Sequence, residues 1–445
     1  MNGIFQLLEK YLMGPMAKIA AFKSVRAIMA AGIASITFTI VGSFFLVFNV
    51  LPETFTFLRD FFNETFFRIS DLYILVYKST MGLLALYFVI VIGYEYTKIH
   101  EQEDEINVSP LNGALLALFA FFLCIPELFY ADGRIQLFSD ATTINGWVIG
   151  GSGPDRMGTV GIFTAIIMSL LTVKIYCFCV KRNWVIKMPE AVPEGVARSF
   201  TALIPAFAVA VVVLVINGGF IAFGTDIFKV IAIPFAFVTD IANSWLGLMV
   251  IFFLIHALWI VGIHGANIIS SFLVPIVLSN LQANANGANI PFAGEFYNSF
   301  VFLGGSGGTL GLTLFIAFLA RSQQLRILGK ASIAPGIFNI NEPIIFGLPI
   351  VYNPYLAIPF FLSPMVTASM AYWSIKLHWV NPIIANVPWP SPAGIGAFIG
   401  TAGDWRAAAL ALSCVLVSWL IYLPFVKVYD NKLATEEQAA EQVSQ

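Results

Sequence analysis

The chain has 445 residues, of which 59% are hydrophobic and only 11% charged. A soluble domain carries about 25% charged residues, so this composition excludes a soluble globular protein and describes a chain embedded in lipid. With a formal net charge of −2 there is no basic surface for a nucleic acid, and Cys124, Cys177, Cys179 and Cys414 have no His or further Cys close enough to form a metal site.

The first apolar run lacks a small-residue cleavage site, so no secretory signal is expected and the N-terminus is retained. Residues 4–20 place Ile4, Leu8, Tyr11 and Leu12 on one helical face near Lys10 and Lys18, the pattern of an amphipathic helix lying on the inner membrane surface. Ala27 to Val50 is uncharged and long enough to cross a roughly 30 Å hydrocarbon core. Lys10, Lys18, Lys23 and Arg26 precede it, which puts the N-terminus in the cytoplasm. A second span, 72–96, returns and ends at Lys98. The acidic loop Glu101–Glu105 that follows runs against an inside assignment in net charge, although the rule counts bases alone. A third span is expected at 111–130. The outer loop after it contains Asp132-Gly133-Arg134 and Gly150-Gly151-Ser152-Gly153-Pro154, which read as turns or a short hairpin. The fourth span, 158–180, leads into Lys181, Arg182, Lys187 and Arg198, the clearest inside loop, where Pro189–Gly195 breaks any continuous helix. The fifth, 199–224, goes out again.

Ile241 to Gly294 contains no Asp, Glu, Lys or Arg but is studded with His256, His264, Asn267, Ser270 and Ser271. It is too long for one helix, so helices and partial hairpins must alternate there. Arg321, Arg326 and Lys330 mark an inside loop, which puts three crossings between 225 and 320. Spans at 355–376 and 405–426 follow, the latter ending near Lys427 and Lys432, and Ala434–Gln445 is expected to be a disordered cytoplasmic tail. The fold class is therefore an all-α membrane protein of about ten transmembrane helices plus re-entrant hairpins, with both termini cytoplasmic. It divides into an amphipathic segment at 1–26, a scaffold and oligomer-interface half at 27–225, a substrate-binding transport half at 226–430 and a tail at 431–445. No internal repeat is visible, so an inverted-repeat transporter gains no support.

Glu342 is the only charged residue between Lys330 and Lys376. A carboxylate at the centre of an apolar helix costs roughly 2.5–3.5 kcal/mol on insertion scales. Asn339, Asn341, Pro343, Gly347 and Pro349 surround it, and irregular backbone at membrane depth is tolerated only where it is buried in protein or lines a cavity. The segment reads as a substrate site. His264 lies in Gly262-Ile263-His264-Gly265-Ala266-Asn267, where glycines permit close backbone approach; by itself it reads as a packed histidine, and beside Glu342 as a second site group. A carboxylate, an imidazole and several amides suit a ligand rich in hydroxyls. Trp389, in Asn386–Pro392, offers an apolar ring for a sugar face, and Trp259 lies five residues before His264. Gly304–Gly311 lacks the Lys-Ser/Thr of a phosphate loop and fits close packing better. Two other classes stay open at this point: a proton-coupled sugar symporter, which would need a relay of acids within the membrane, and a receptor that binds sugar without moving it.

Asn339 to Pro354 (Asn-Ile-Asn-Glu-Pro-Ile-Ile-Phe-Gly-Leu-Pro-Ile-Val-Tyr-Asn-Pro) resembles the membrane subunit, the permease IIC component, of bacterial phosphoenolpyruvate-dependent sugar phosphotransferase systems, in the lactose/cellobiose/diacetylchitobiose branch. Gly262–Gly265, Pro388-Trp389-Pro390 and Gly400–Trp405 are similar to it too. The resemblance implies a homodimer in the bacterial cytoplasmic membrane, joined through N-terminal spans, whose C-terminal half holds a disaccharide. It also implies a separate cytoplasmic IIB partner that phosphorylates the sugar 6-hydroxyl from a phosphocysteine, with no cofactor and no metal in this chain. The family's essential Glu and His carry over to Glu342 and His264 and its stacking Trp to Trp389; from their own chemistry and position, Asn267, Asn339, Asn341 and Gly265 are further candidate sugar contacts.

Overall fold

The computed structural model describes residues 18–19, 21–137, 141–144, 147–150, 155–189, 192, 200–260, 262, 264–348, 350 and 354–444. The amphipathic segment expected at 4–20, most of the Gly150–Pro154 turn and most of the Pro189–Gly195 break lie outside those residues.

In chain order, α1 (Lys23–Thr54) is followed by α2 (Arg59–Glu64), α3 (Ser70–Thr80), α4 (Leu84–Glu103) and α5 (Pro110–Phe122). Two antiparallel hairpins come next, β1 (Leu128–Ala131) with β2 (Arg134–Leu137) and β3 (Ala141–Ile144) with β4 (Trp147–Gly150). Helices α6 (Ile162–Lys181), α7 (Leu203–Ala222), α8 (Ile227–Asn243), α9 (Trp245–Ile260), α10 (Gly265–Ala285), α11 (Leu310–Phe318), α12 (Gln323–Ile337), α13 (Glu342–Gly347), α14 (Pro354–Lys376), α15 (Ile395–Gly400) and α16 (Trp405–Ser444) complete the chain.

Six helical stretches among the described residues are long and apolar enough to cross a membrane, or seven if α8 and α9, bent by 82° at Ser244, count as one. The expected spans at 27–50, 72–96, 158–180, 199–224, 355–376 and 405–426 coincide with the six. The span expected at 111–130 does not run its length. Ser109 caps α5 and Pro110 fills its first turn, but the helix stops at Phe122 after 13 residues, about 20 Å of rise. The chain then enters the β1–β2 hairpin, whose turn residues Asp132 and Gly133 have φ of 52° and 75°, the left-handed pair that a two-residue hairpin turn requires.

The chain forms two compact units. One comprises residues 19–42 and 75–239. In it α4 packs against α5 and α6, around Phe88, Ile92, Phe121, Met168 and Tyr176. Gly93 and Gly113 bring α4 and α5 to backbone contact, since a Cβ on Gly93 would lie 2.9 Å from the Ala114 Cα and 3.0 Å from the Gly113 carbonyl oxygen. Cys124, Cys177 and Cys179 are buried in this unit, and Cys414 in the other. The acidic loop after α4 is explained by its partners. Lys23 bonds Asp104, Arg26 bonds Glu103, and Lys181 reaches Asp104 at 3.1 Å. The start of α1 and the ends of α4 and α6 therefore share one end of the unit, with acids and bases neutralised together. At the β1–β2 end, buried Arg156 pairs with buried Asp226 at 2.6 Å and donates to the Ile125 carbonyl at 3.2 Å.

The second unit comprises residues 43–74 and 240–445. After α10 the chain folds back along it. Gly294 N donates to Val277 O at 3.1 Å, and the Asn280 and Asn284 side chains bond the Phe292 and Ile290 carbonyls. These amides satisfy backbone that no helix or sheet would satisfy. The expected disordered tail is a correction: α16 continues to Ser444. Asp430 on α16 accepts from the backbone N–H of Arg321 and Ser322, and Glu437 from those of Gln323 and Gln324. Acids from α16 thus cap the start of α12, which ties the polar end of α16 to the body of the unit.

Candidate carbohydrate site

Two of the predicted site residues, Asn339 and Asn341, hold a glycine loop. Gly304, Gly305, Gly307 and Gly308 all have positive φ, between 65° and 93°, and a Cβ on Gly305 or Gly307 would lie 2.2 Å from the Asn341 side chain or 2.4 Å from the Phe360 ring. Close packing is thus realised, in a left-handed loop rather than along a helix. Side chains hold many of the loop's backbone polar groups. Asn339 Oδ1 accepts from Gly304 N at 2.9 Å, Asn341 Nδ2 donates to Ser306 O at 2.7 Å, and Tyr422 Oη donates to Gly307 O at 3.0 Å. His256, wholly buried, accepts from Gly307 N at 3.0 Å through Nε2 and meets the Phe252 carbonyl at 2.6 Å through Nδ1. That pair of contacts fixes the Nδ1–H tautomer.

Asn339 is the hub. Its φ of 61° is a left-handed conformation that Asn tolerates. Its Nδ2 donates to the carbonyls of Trp389 at 3.0 Å and Ser391 at 3.1 Å, with a longer approach to Asn298 O at 3.4 Å. One carboxamide therefore joins the glycine loop, the turn at Asn298 and the Trp389 loop. Asn341 is buried, and its Nδ2 also reaches Thr309 Oγ1 at 2.9 Å. The donor hydrogens of both asparagines are committed inside the protein.

Asn341 precedes α13, and Glu342 is that helix's first residue, with Pro343 next. The Glu342 side chain is exposed at the protein surface. A lone acid in apolar sequence is thus not enclosed here; it sits at a helix start, facing outward from its unit. His264 is half-buried just before α10, and it lies within electrostatic reach of Glu342. Its ring packs on Trp259 with centroids 4.3 Å apart. Gly265 allows that junction, because a Cβ there would lie 2.0 Å from the Ile255 carbonyl oxygen. Trp259 is buried, and its Nε1 has no partner among the described residues. Trp389 is half-exposed, and Asn267 lies in the first turn of α10.

Glu295 was not singled out from sequence. It is the only Asp, Glu, Lys or Arg between Asp240 and Arg321, so the isolation that marks Glu342 marks it equally. Among the described residues no group of three or more potential ligands could hold a metal ion.

A family model described as "Phosphotransferase system, EIIC" matches residues 29–364. The chain is 32% identical over 455 residues to the lichenan permease IIC component of Bacillus subtilis (strain 168), covering 100% of this chain and 97% of that one. It is 33% identical over 461 residues to the cellobiose-specific EIIC component of Geobacillus stearothermophilus, covering 100% and 98%. A lactose-specific EIICB component of Staphylococcus aureus (strain N315) is 30% identical over 434 residues, which are 93% of this chain and 70% of that longer one. Among solved structures, that of ChbC, the IIC component of an N,N'-diacetylchitobiose-specific phosphotransferase system, matches with a TM-score of 0.85 and 32% identity over 97% of this chain and 99% of that one.

Proposed function

The chain belongs to the EIIC family of phosphotransferase-system sugar permeases and is an integral membrane protein, and from that footing we propose that it binds a β-linked disaccharide and carries it across the bacterial cytoplasmic membrane for phosphorylation by a IIB partner. The names of its relatives point to cellobiose, lichenan fragments, lactose or diacetylchitobiose. The observation that carries the reading is the grouping of Glu342, His264 and the Trp259 ring in the unit whose glycine loop Asn339 and Asn341 hold. A carboxylate in a membrane-embedded segment cannot face hydrocarbon, so the exposure of Glu342 marks a wet surface, as a sugar path requires.

In the reaction, the sugar 6-hydroxyl oxygen attacks the phosphorus held on a partner thiolate. The P–S bond breaks as the P–O bond forms, and the hydroxyl proton passes to the Glu342 carboxylate. Phosphoryl transfer needs positioning more than covalent help. Glu342 would accept the hydroxyl hydrogen bond and His264 would share or orient it. Trp389 would cover an apolar ring face and Trp259 would back the His264 ring, with Asn267 and Gly265 at the start of α10 as further contacts. Asn339 and Asn341 would shape the site through the backbone they hold. The added phosphate charge then disfavours the pocket and drives release inside.

The same reading places about ten crossings, both termini inside and a homodimer joined through the N-terminal half. The shared end of Lys23, Asp104 and Lys181 supports a common side for the start of α1, the end of α4 and the end of α6. In proteoliposomes, uptake of labelled cellobiose should require IIB and a phosphoryl donor, and should be indifferent to collapse of a proton gradient. Uptake driven by a proton gradient alone would establish the symporter instead. Glu342→Gln should bind sugar weakly and abolish phosphorylation; phosphorylation at the wild-type rate would remove its assigned role.

A further inference from the structure

The architectural acids of this protein have a common signature. Asp226 accepts from Lys229 N and Arg156, Asp404 from Asn381 N and Arg406, and Asp430 from Arg321 N and Ser322 N. Each takes two or more bonds from backbone amides or a guanidinium and holds two segments together. Glu295 does not share that signature. Among the described residues its carboxylate has one hydrogen bond, from Asn298 Nδ2 to Oε2 at 2.6 Å, within its own turn. Among the described residues it meets no cation, caps no helix and has no hydrogen-bond partner at Oε1, although it is half-buried in a charge-poor stretch of the chain.

Its surroundings are those of the sugar site. The turn begins at Gly294, whose N–H is held by Val277 O on α10. Tyr297 bonds the side chain of Ser270, on the same helix that starts beside His264. The Asn298 carbonyl lies 3.4 Å from the Asn339 carboxamide, which bonds the Trp389 carbonyl and stands three residues before Glu342. The segments carrying His264, Glu342 and Trp389 therefore all converge on the Glu295–Asn298 turn. An unpaired carboxylate held there is unfavourable until hydroxyl donors reach it, and a disaccharide is dense in such donors.

We infer that Glu295 is a second sugar-binding carboxylate of this site, accepting hydrogen bonds from hydroxyls of the disaccharide and setting which sugars are accepted. This rests on the disaccharide reading of the site. Asn298 orients the carboxylate through Oε2, and Oε1 faces the ligand.

The test is equilibrium binding to the purified full-length protein in detergent, with cellobiose, lactose, diacetylchitobiose and a series of monodeoxy cellobioses. A hydrogen bond to a charged acceptor corresponds to roughly a 10- to 100-fold change in affinity. Glu295→Gln should weaken binding of the best disaccharide by that factor. One deoxy analogue should bind the wild type equally weakly and should lose nothing further in Glu295→Gln. A purely architectural role would lower affinity for every sugar and analogue alike, or for none, and either pattern overturns the inference. If Glu295→Gln is not monodisperse, Glu295→Asp makes the comparison: it keeps the charge but withdraws it by one carbon, and should reorder the sugar panel; an unchanged order overturns the inference. Should the wild type bind none of the disaccharides, the disaccharide reading itself fails. Should it bind them and lose affinity in Glu342→Gln but not in Glu295→Gln, only the role of Glu295 fails.

Discussion

Replacing Asn339 separates two contributions that meet in one residue. The first is conformational: at φ 61° an alanine is disfavoured by about 1–2 kcal/mol, whereas glycine is not. The second is the carboxamide, with three bonds of 2.9, 3.0 and 3.1 Å to Gly304 N, Trp389 O and Ser391 O. At about 1 kcal/mol net each, these sum to about 3 kcal/mol. The 3.4 Å approach to Asn298 O is too long to add much. Asn339→Gly should therefore destabilise by about 3 kcal/mol, and Asn339→Ala by about 1 kcal/mol more than glycine. Unfolding in detergent micelles, followed by near-ultraviolet signals from tryptophan, measures both. Affinity for cellobiose should fall in both variants, since the Trp389 loop and the glycine loop are released together. Equal stability of the glycine and wild-type proteins, or an alanine variant more stable than the glycine one, would refute the reasoning.

Gly307→Ala should be strongly destabilising, because its φ is 88° and the new Cβ would meet Phe360 at 2.4 Å; Gly218→Ala, in helix α7 with open space around it, should be neutral or stabilising by up to about 1 kcal/mol in the same unfolding assay. Arg156 and Asp226 are both buried, so removing either alone should cost about 3–5 kcal/mol, while Arg156→Leu with Asp226→Leu should cost less than the two singles summed. Hydrogen bonds from Lys23, His100 and Lys181 hold the Asp104 carboxyl well below the usual carboxylate range. A depressed folded-state pKa stabilises above the unfolded value of about 3.9, and that contribution fades as the pH falls through the folded one. The thermal midpoint gap between wild type and Asp104→Asn should thus narrow as the pH falls below about pH 4; a gap that widens below that pH would contradict the assigned pairing.

Two features were written in the residue order. Long uncharged runs located the apolar spans, because burying an unpaired charge in lipid is expensive over every turn of a helix. The local signal Asp132-Gly133 located a hairpin because left-handed φ is a property of single residues, and the isolation of Glu342, with its prolines and asparagines, is what marks its segment for the proposed site. Tertiary structure decided the rest. Asn339 and Asn341 look like ligand groups in sequence, yet their donors are spent on groups in segments 32 to 52 residues away, mostly backbone carbonyls, a demand visible only once the irregular loops lie together. The acidic loop at Glu103 and Asp104 is answered by Lys23 and Lys181, and α16 stays helical to Ser444 because Asp430 and Glu437 find the open end of α12. Hydropathy reads one residue at a time, whereas the partners of a polar group are set by where the folded chain returns.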